Sequence, residues 1–336
     1  MSKYRGKKVL VTGADGFIGS HVTEALVREG AEVTALALYN SFDSHGWLDD
    51  LPDSIRSALR LVRGDVRDSA FMNRILRNQA VVFHLAALIA IPYSYSAAQS
   101  YVETNVLGTL NVLEAARQWE TERVVHTSTS EVYGTAITMP IRETHPLQAQ
   151  SPYSASKIGA DMMAESYARC YGVPVAILRP FNTFGPRQSE RAILPTIIRQ
   201  ALDRECPAIM VGDTSPVRDM TFVEDTAAAF LAAGSADGIE FGHAYNAGSQ
   251  RAVTISDLLS LVVEISSCRK AVQRDESRLR PENSEVRALL ADSSRFESET
   301  GWRARTTLRD GVGKTINWWR DRLDQGRVRR EKGYIT

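Results

Sequence analysis

Lys8-Val9-Leu10-Val11-Thr12-Gly13-Ala14-Asp15-Gly16-Phe17-Ile18-Gly19 is the stretch that decides the fold. A short apolar run reads as a buried strand, and glycines at every third position then open an amphipathic segment that reaches Glu29 before Gly30 stops it. That order of strand, glycine turn and helix is the context in which such a motif is a dinucleotide site. Gly13 permits the tight turn, Gly16 lets the backbone approach a pyrophosphate, and Gly19 lets the helix pack closely on the strand. Phe17 and Ile18 open the helix, whose leading N–H groups face the phosphates.

Outward from this stretch, apolar runs alternate with amphipathic ones, the pattern of β-α-β units on a parallel sheet. Further strands are expected at Glu32–Leu38, Leu59–Val62, Val81–Leu85, Arg123–Thr127 and Val173–Leu178, with helices at 101–118 and 153–171, the second ended by Gly172. The fold class is α/β: a doubly wound parallel sheet with a smaller C-terminal α/β lobe. The expected division is 1–180 for the dinucleotide domain, 181–325 mostly for a substrate lobe, and 326–336 for a basic tail. Segments 221–234 and 244–248 are expected to return to the larger domain.

Composition sets bounds on function. Forty basic residues balance forty acidic ones, so no overall charge points to nucleic acid or a membrane surface. Cys170, Cys206 and Cys268 are too few and too widely spaced for a disulfide framework or a metal site. No apolar run approaches the roughly 18 residues that span a bilayer. The polar start from Met1 to Lys8 lacks the apolar core of a signal peptide. The expectation is a cytoplasmic protein with no metal.

The chemistry is carried by a second region, Thr127-Ser128-Thr129-Ser130-Glu131-Val132-Tyr133-Gly134 followed by Tyr153-Ser154-Ala155-Ser156-Lys157. Tyr153 and Lys157 fall on one helix face, one turn apart. A nearby ammonium favours an ionised phenol, which could accept a hydroxyl proton as a hydride leaves the same carbon. Tyr4 and Lys8 share the spacing but straddle the first strand, which demotes them. Thr129 offers a hydroxyl for the substrate oxygen. Glu131 supplies a carboxylate that a plain oxidoreductase does not need and that water elimination does.

These motifs resemble the extended short-chain dehydrogenase/reductase family. The Gly13-x-x-Gly16-x-x-Gly19 spacing, Gly64-Asp65-Val66, His84-Leu85-Ala86-Ala87, Thr104-Asn105-Val106, Tyr153/Lys157, Arg179-Pro180-Phe181-Asn182, Arg218-Asp219 and Asn246-Ala247-Gly248 stand in family order across about residues 7–320. The resemblance implies a Rossmann-type fold, with Asp65 and Val66 beside an adenine and Ala86 on the nicotinamide side. The acid usually found at the end of the second strand is absent from Ala35-Leu36-Ala37-Leu38-Tyr39-Asn40-Ser41, and so is an arginine. The reading is NAD, with NADP the alternative. Asn182, Arg218 and Arg280 are placed on the substrate's nucleotide and diphosphate. Asn105 is read as ordering the Lys157 neighbourhood or as helix packing, and His84 as a packing histidine.

Thr129-Ser130-Glu131 resembles the GDP-mannose 4,6-dehydratases, and also bacterial UDP-glucuronate decarboxylases. Tyr39-Asn40-Ser41-Phe42, Gly46-Trp47-Leu48-Asp49, Leu88 to Tyr95 and Arg278 to Glu285 resemble the nucleotide-sugar 4,6-dehydratases of the legionaminic acid pathway, which act on N-acetylhexosamine nucleotides. The implied activity is dehydration of a UDP- or GDP-N-acetylglucosamine type substrate, against 4-epimerisation, decarboxylation or a non-catalytic dinucleotide-binding role. The family also implies a homodimer, paired through helices that carry Val106, Leu110, Leu113, Met162, Met163 and Tyr167.

Overall fold

The computed structural model describes residues 2–278 and 286–328. Its centre is a seven-stranded parallel sheet: β1 (Lys8–Thr12), β2 (Glu32–Leu38), β3 (Arg60–Gly64), β4 (Val81–His84), β5 (Arg123–Thr127), β6 (Val175–Pro180) and β7 (Ala244–Ala247). The spatial order is β7-β6-β5-β4-β1-β2-β3. The order reverses between β1 and β4, which pair from Val9 opposite Val81 to Thr12 opposite His84. A crevice opens beyond the strand ends at such a reversal, and ligands of doubly wound sheets bind there. The fold is Rossmann-type.

Strand periodicity sorts the core. Val9 and Val11 point to one face, where they pack with Val22 and Leu26 of α1 (Phe17–Arg28) and with Ala227, Phe230 and Ala233. Leu10 points to the other, against Val112 and Leu113 of α2 (Gly108–Gln118) and Ala164 and Tyr167 of α3 (Pro152–Tyr171). Both layers are buried, so the parallel strands read as apolar runs without alternation. A separate cluster built on Phe184, Leu194, Ile197, Phe222, Leu258, Val312 and Trp319 forms the core of the C-terminal lobe.

β1, β2 and β5 have the bounds expected from the sequence. β6 does not: it runs from Val175 to Pro180, two residues later than read. The cause is the exit of α3. Gly172 adopts a left-handed φ of 69°, and the Val173 amide turns back to the Tyr167 carbonyl at 3.3 Å. Val173 therefore belongs to the helix cap. β3 likewise lies later, at Arg60–Gly64. The expected continuous helix over 101–118 is interrupted by a wide π-type turn at Val102–Leu107. Such turns insert an extra residue into the helical path. Asn105 sits in this one. Among the described residues no helix is long and apolar enough to cross a membrane.

Candidate active site

The glycine turn fits a phosphate-bearing ligand. Gly13 has φ 65°, and a Cβ there would stand 2.7 Å from the Ala86 amide nitrogen. A Cβ on Gly19 would meet the Gly13 carbonyl at 2.0 Å, so only glycine lets α1 start this close to β1. α1 opens with Phe17 and Ile18, no side chain caps it, and no acidic group stands in its first turn. Its leading N–H groups are thus left to an anion. Ala86 lies directly against this turn, its amide donating to Thr12 Oγ1 at 3.2 Å.

The Tyr153–Lys157 pair is set by the start of α3. Ser151 and Ser154 form a reciprocal cap, each side chain accepting from the other's amide at 3.1 and 3.0 Å, and Pro152 takes the first helical position. Tyr153 follows at once, so its side chain leaves the most tightly fixed turn of the helix. Both side chains are buried, Tyr153 at 7% and Lys157 at 4% exposure. The Lys157 ammonium donates to the Thr127 carbonyl at 2.5 Å, which ties α3 to the end of β5.

Thr129 and Glu131 reach the same place from β5. The strand ends at Thr127, and Thr129 caps a short 3₁₀ turn at Ser130–Tyr133 by accepting from the Glu131 amide at 3.2 Å. The Thr129 hydroxyl also hydrogen-bonds the Tyr153 phenol, and the Glu131 carboxylate is close enough to raise the phenol's pKa. Thr129, Glu131 and Tyr153 therefore converge. The expectation that Lys157 depresses the phenol is corrected here. Burial dominates and pushes Tyr153 up, with the Thr129 hydrogen bond opposing and Glu131 reinforcing the rise. Burial also lowers Lys157 to about 8, against the pull of Asp161. The phenol rests protonated, and the lysine is poised near neutrality.

Beneath these groups lies a buried polar network that the sequence reading did not assign. The Asp161 carboxylate is fully buried and accepts from Ser128 Oγ at 2.7 Å, His126 Nε2 at 3.2 Å and Arg179 Nη2 at 2.9 Å. Burial pushes its pKa up, but the His126 hydrogen bond and the Arg179 charge outweigh this and hold it at about 2. Arg179 continues to the Tyr133 hydroxyl, which donates to Asn246 Oδ1 at 2.7 Å. One signal was available: Asp161 follows Lys157 by one helical turn. His84 is buried, with its two ring nitrogens on Thr12 and Thr109. Asn105 bridges Leu88 to Ser156 on α3, its Nδ2 donating to Ser156 Oγ at 2.9 Å.

The remaining expected residues are more dispersed. Arg67 forks onto the Asp65 carboxylate, with Nη2 at 2.6 Å, and lowers its pKa. Val66 is buried against Gly108. Asn182 Oδ1 is a buried oxygen without a hydrogen-bond partner among the described residues, an acceptor that a ligand donor would satisfy. Arg218 is buried on the strand Val217–Asp219, its Nη1 donating to the Val217 carbonyl at 3.0 Å. Arg280 lies outside the described residues. The reading that no arginine stands at the end of β2 needs correction: Arg63, brought over from β3, pairs with Asp43 at 2.6 Å and approaches His45 Nδ1 at 3.5 Å.

Residues 10–315 match the family model described as GDP-mannose 4,6 dehydratase. A dTDP-glucose 4,6-dehydratase from Actinoplanes sp. is 32% identical over 322 residues, covering 93% of this chain and 98% of that protein. The chain spans about half the length, 47–48%, of trifunctional plant enzymes from Arabidopsis thaliana that it also matches. Among solved structures, a UDP-glucose 4-epimerase from Thermotoga maritima with UDP-glucose superposes with a TM-score of 0.84 at 28% identity, covering 94% of this chain and 99% of that one. A dTDP-glucose 4,6-dehydratase double mutant from Streptomyces venezuelae with NAD bound gives 0.81 at 29% identity, covering 94% and 98%. With the glycine turn, the Tyr153–Lys157 pair and a family match over most of its length, the chain belongs to the extended short-chain dehydrogenases/reductases, in the group that the GDP-mannose 4,6 dehydratase model describes.

Proposed function

We propose that this chain is an NAD-dependent nucleoside-diphosphate-sugar 4,6-dehydratase acting on a UDP- or GDP-N-acetylglucosamine type substrate. The observation that carries the reading is Glu131, a half-buried carboxylate beside the Tyr153 phenol. Gly13, Gly16, Phe17, Ile18 and Gly19 would hold the pyrophosphate, Asp65 and Val66 the adenosine side, and Ala86, Tyr153 and Lys157 the nicotinamide side. NAD held there would supply the hydride acceptor for oxidation at C4 and the hydride donor for reduction at C6.

The chain's own residues move the protons. Thr129 donates to the C4 oxygen, and Tyr153, once its phenol has released its own proton to solvent beside the Lys157 charge, takes the C4 hydroxyl proton. The resulting ketone acidifies C5–H. Glu131 takes that proton, the electron pair forms the C5–C6 double bond, and the C6 hydroxyl departs. Ser130 is buried at 2% exposure, so the leaving hydroxyl is assigned the proton that Glu131 has just taken, and water is released; after hydride return to C6, C5 is reprotonated from solvent. Asn182, Arg218 and Arg280 are assigned to the nucleotide and diphosphate. The division into a cofactor domain over 1–180 and a sugar-nucleotide lobe over 181–325 belongs to the same reading.

The likeness to an epimerase supports a second reading, 4-epimerisation, which uses Tyr153 and Lys157 but has no work for Glu131. Product mass separates them. The chain is incubated with NAD and a panel of UDP-, GDP-, CDP- and dTDP-sugars. Loss of one water is expected; an unchanged mass with an altered C4 configuration would favour the epimerase, and loss of carbon dioxide a decarboxylase.

A homodimer is part of the proposal, with Met162 the exposed member of the face read in sequence. Leu113 and Tyr167 are buried against the chain's own sheet. Exposed large hydrophobic residues on these helices include Val102, Leu107 and Met162, at 55%, 42% and 43% exposure. Sedimentation should give twice the chain mass.

A further inference from the structure

Doubly wound dinucleotide sites grip the adenosine ribose with an acid at the end of the second strand, and β2 here ends Leu36-Ala37-Leu38 with none. The fold puts one in that place from elsewhere. Asp15, the last residue before Gly16 in the glycine turn, directs Oδ2 at the Leu38 amide, 3.3 Å away. The segment after β2 folds down over it: the Trp47 amide donates to the Asp15 carbonyl at 3.0 Å. A Cβ on Gly46 would stand only 2.6 Å from that same oxygen. Asp15 is thus held at the terminus of β2 by contacts on both sides of a 23-residue separation.

We propose that Asp15 is the cofactor-discriminating residue, its carboxylate receiving the adenosine ribose hydroxyls and rejecting a 2′-phosphate. The inference rests on the NAD reading above. An ionised carboxylate has about four acceptor sites, and the amides of Leu38 and of Asp15 itself leave capacity for a diol. A half-buried anion also repels a second anion more strongly than a solvated one, because the local dielectric is lower. Burial raises the Asp15 pKa against the Leu38 hydrogen bond, so donors from a ribose relieve a desolvated group. The cation on the neighbouring strand, Arg63, is drawn to Asp43, which competes for the charge a 2′-phosphate would seek.

The test is equilibrium binding without substrate. NAD and NADP are titrated by calorimetry into the unmodified chain, Asp15→Asn and Asp15→Glu. A hydrogen bond to a charged group contributes about 1.5–3 kcal/mol, so Asp15→Asn should weaken NAD about tenfold or more. NADP should tighten in the same variant, while Asp15→Glu keeps the charge and goes on excluding NADP. A rise of both dissociation constants by one factor would mean that Asp15 only props the loop, and an unchanged pair would overturn the assignment as well. If Asp15→Asn does not fold, Asp15→Ser reads the same ratio. Failure of the unmodified chain to bind NAD would instead remove the NAD reading.

Discussion

The proposed reaction end and the proposed adenosine end of the crevice are built on different principles. At the reaction end, Tyr153 and Lys157 leave the first turns of a regular helix, are buried, and rest on a network in which Ser128, His126 and Arg179 converge on the Asp161 carboxylate. At the adenosine end, β2 gives way to a loop whose side chains face water, with Tyr39 at 70% and Phe42 at 87% exposure. Its geometry rests on local, partly solvated hydrogen bonds, such as Asp15 to Leu38 and the Asn40 side chain to Ser44. Proton transfer needs groups positioned to fractions of an ångström. Binding an adenosine tolerates a looser wall.

The largest effect should come from the reaction end. Tyr153→Phe keeps the ring and its edge-on packing against Tyr101 but removes the proton acceptor. Turnover should fall toward the upper part of the about 10²–10⁴-fold range for a lost acid–base group, with NAD affinity nearly unchanged. Near-normal turnover would break the comparison at its firmest point. Glu131→Gln should cost less, about 10²-fold, because Glu131 is half-buried and water can replace part of its function. Deuterium incorporation at C5 in D₂O should drop with it. Unimpaired dehydration would show that another group takes the C5 proton.

The pH dependence sharpens the same contrast. Lys157 titrates at about 8, below its ordinary 10.5, because burial disfavours its charge. Its supporting charge is present below that pH, so kcat should fall as pH rises through about 8. Stability moves the other way. The unfolded chain holds this proton up to its ordinary pKa, so between 8 and 10.5 it binds more protons than the folded one. Lys157 therefore costs stability below 8, and the cost disappears as pH rises through the window. Asp161→Asn removes the charge that holds Lys157 up and should move the descending limb of kcat to lower pH. A limb that stays put would uncouple the buried network from the reaction.

How much could be read in advance follows the same division. β1, Gly13–Gly19, Tyr153 and Lys157 are legible because strand periodicity, glycine geometry and a helical four-residue spacing are all local. The π-type turn at Val102–Leu107 was not legible: Asn105 meets Leu88 and Ser156 only after folding, and no local pattern marks it. Asp161 carried a spacing signal, but its partners come from β5 and β6. The adenosine end misled most. Scanning residues 36–41 shows neither an acid nor an arginine, whereas the fold delivers Asp15 from one strand connection and Arg63 from another strand. Parallel sheets bring residues together across crossovers, and a linear scan has no access to that register.

The smallest effect tests whether the adenosine end is as loose as it looks. Asn40 is the hub of the loop after β2. Its Nδ2 donates to the Leu38 and Ser44 carbonyls at 3.3 and 2.9 Å, and its Oδ1 accepts from the Phe42 and Ser44 amides at 3.0 and 3.4 Å. Asn side chains that mimic a backbone turn in this way hold a loop's shape. Asn40→Ala removes all four contacts at once, yet they lie in partly solvated surroundings where water replaces them, so stability should fall by only about 1 kcal/mol. No hydrogen bond among the described residues joins the turn carrying Tyr153 to this loop, so kcat at saturating NAD should stay within twofold of normal. Cofactor affinity should weaken severalfold, because the loop that covers Asp15 loses its internal brace. A large drop in kcat for Asn40→Ala would mean that the two ends move as one unit, and the contrast between a rigid reaction end and a compliant adenosine end would not stand.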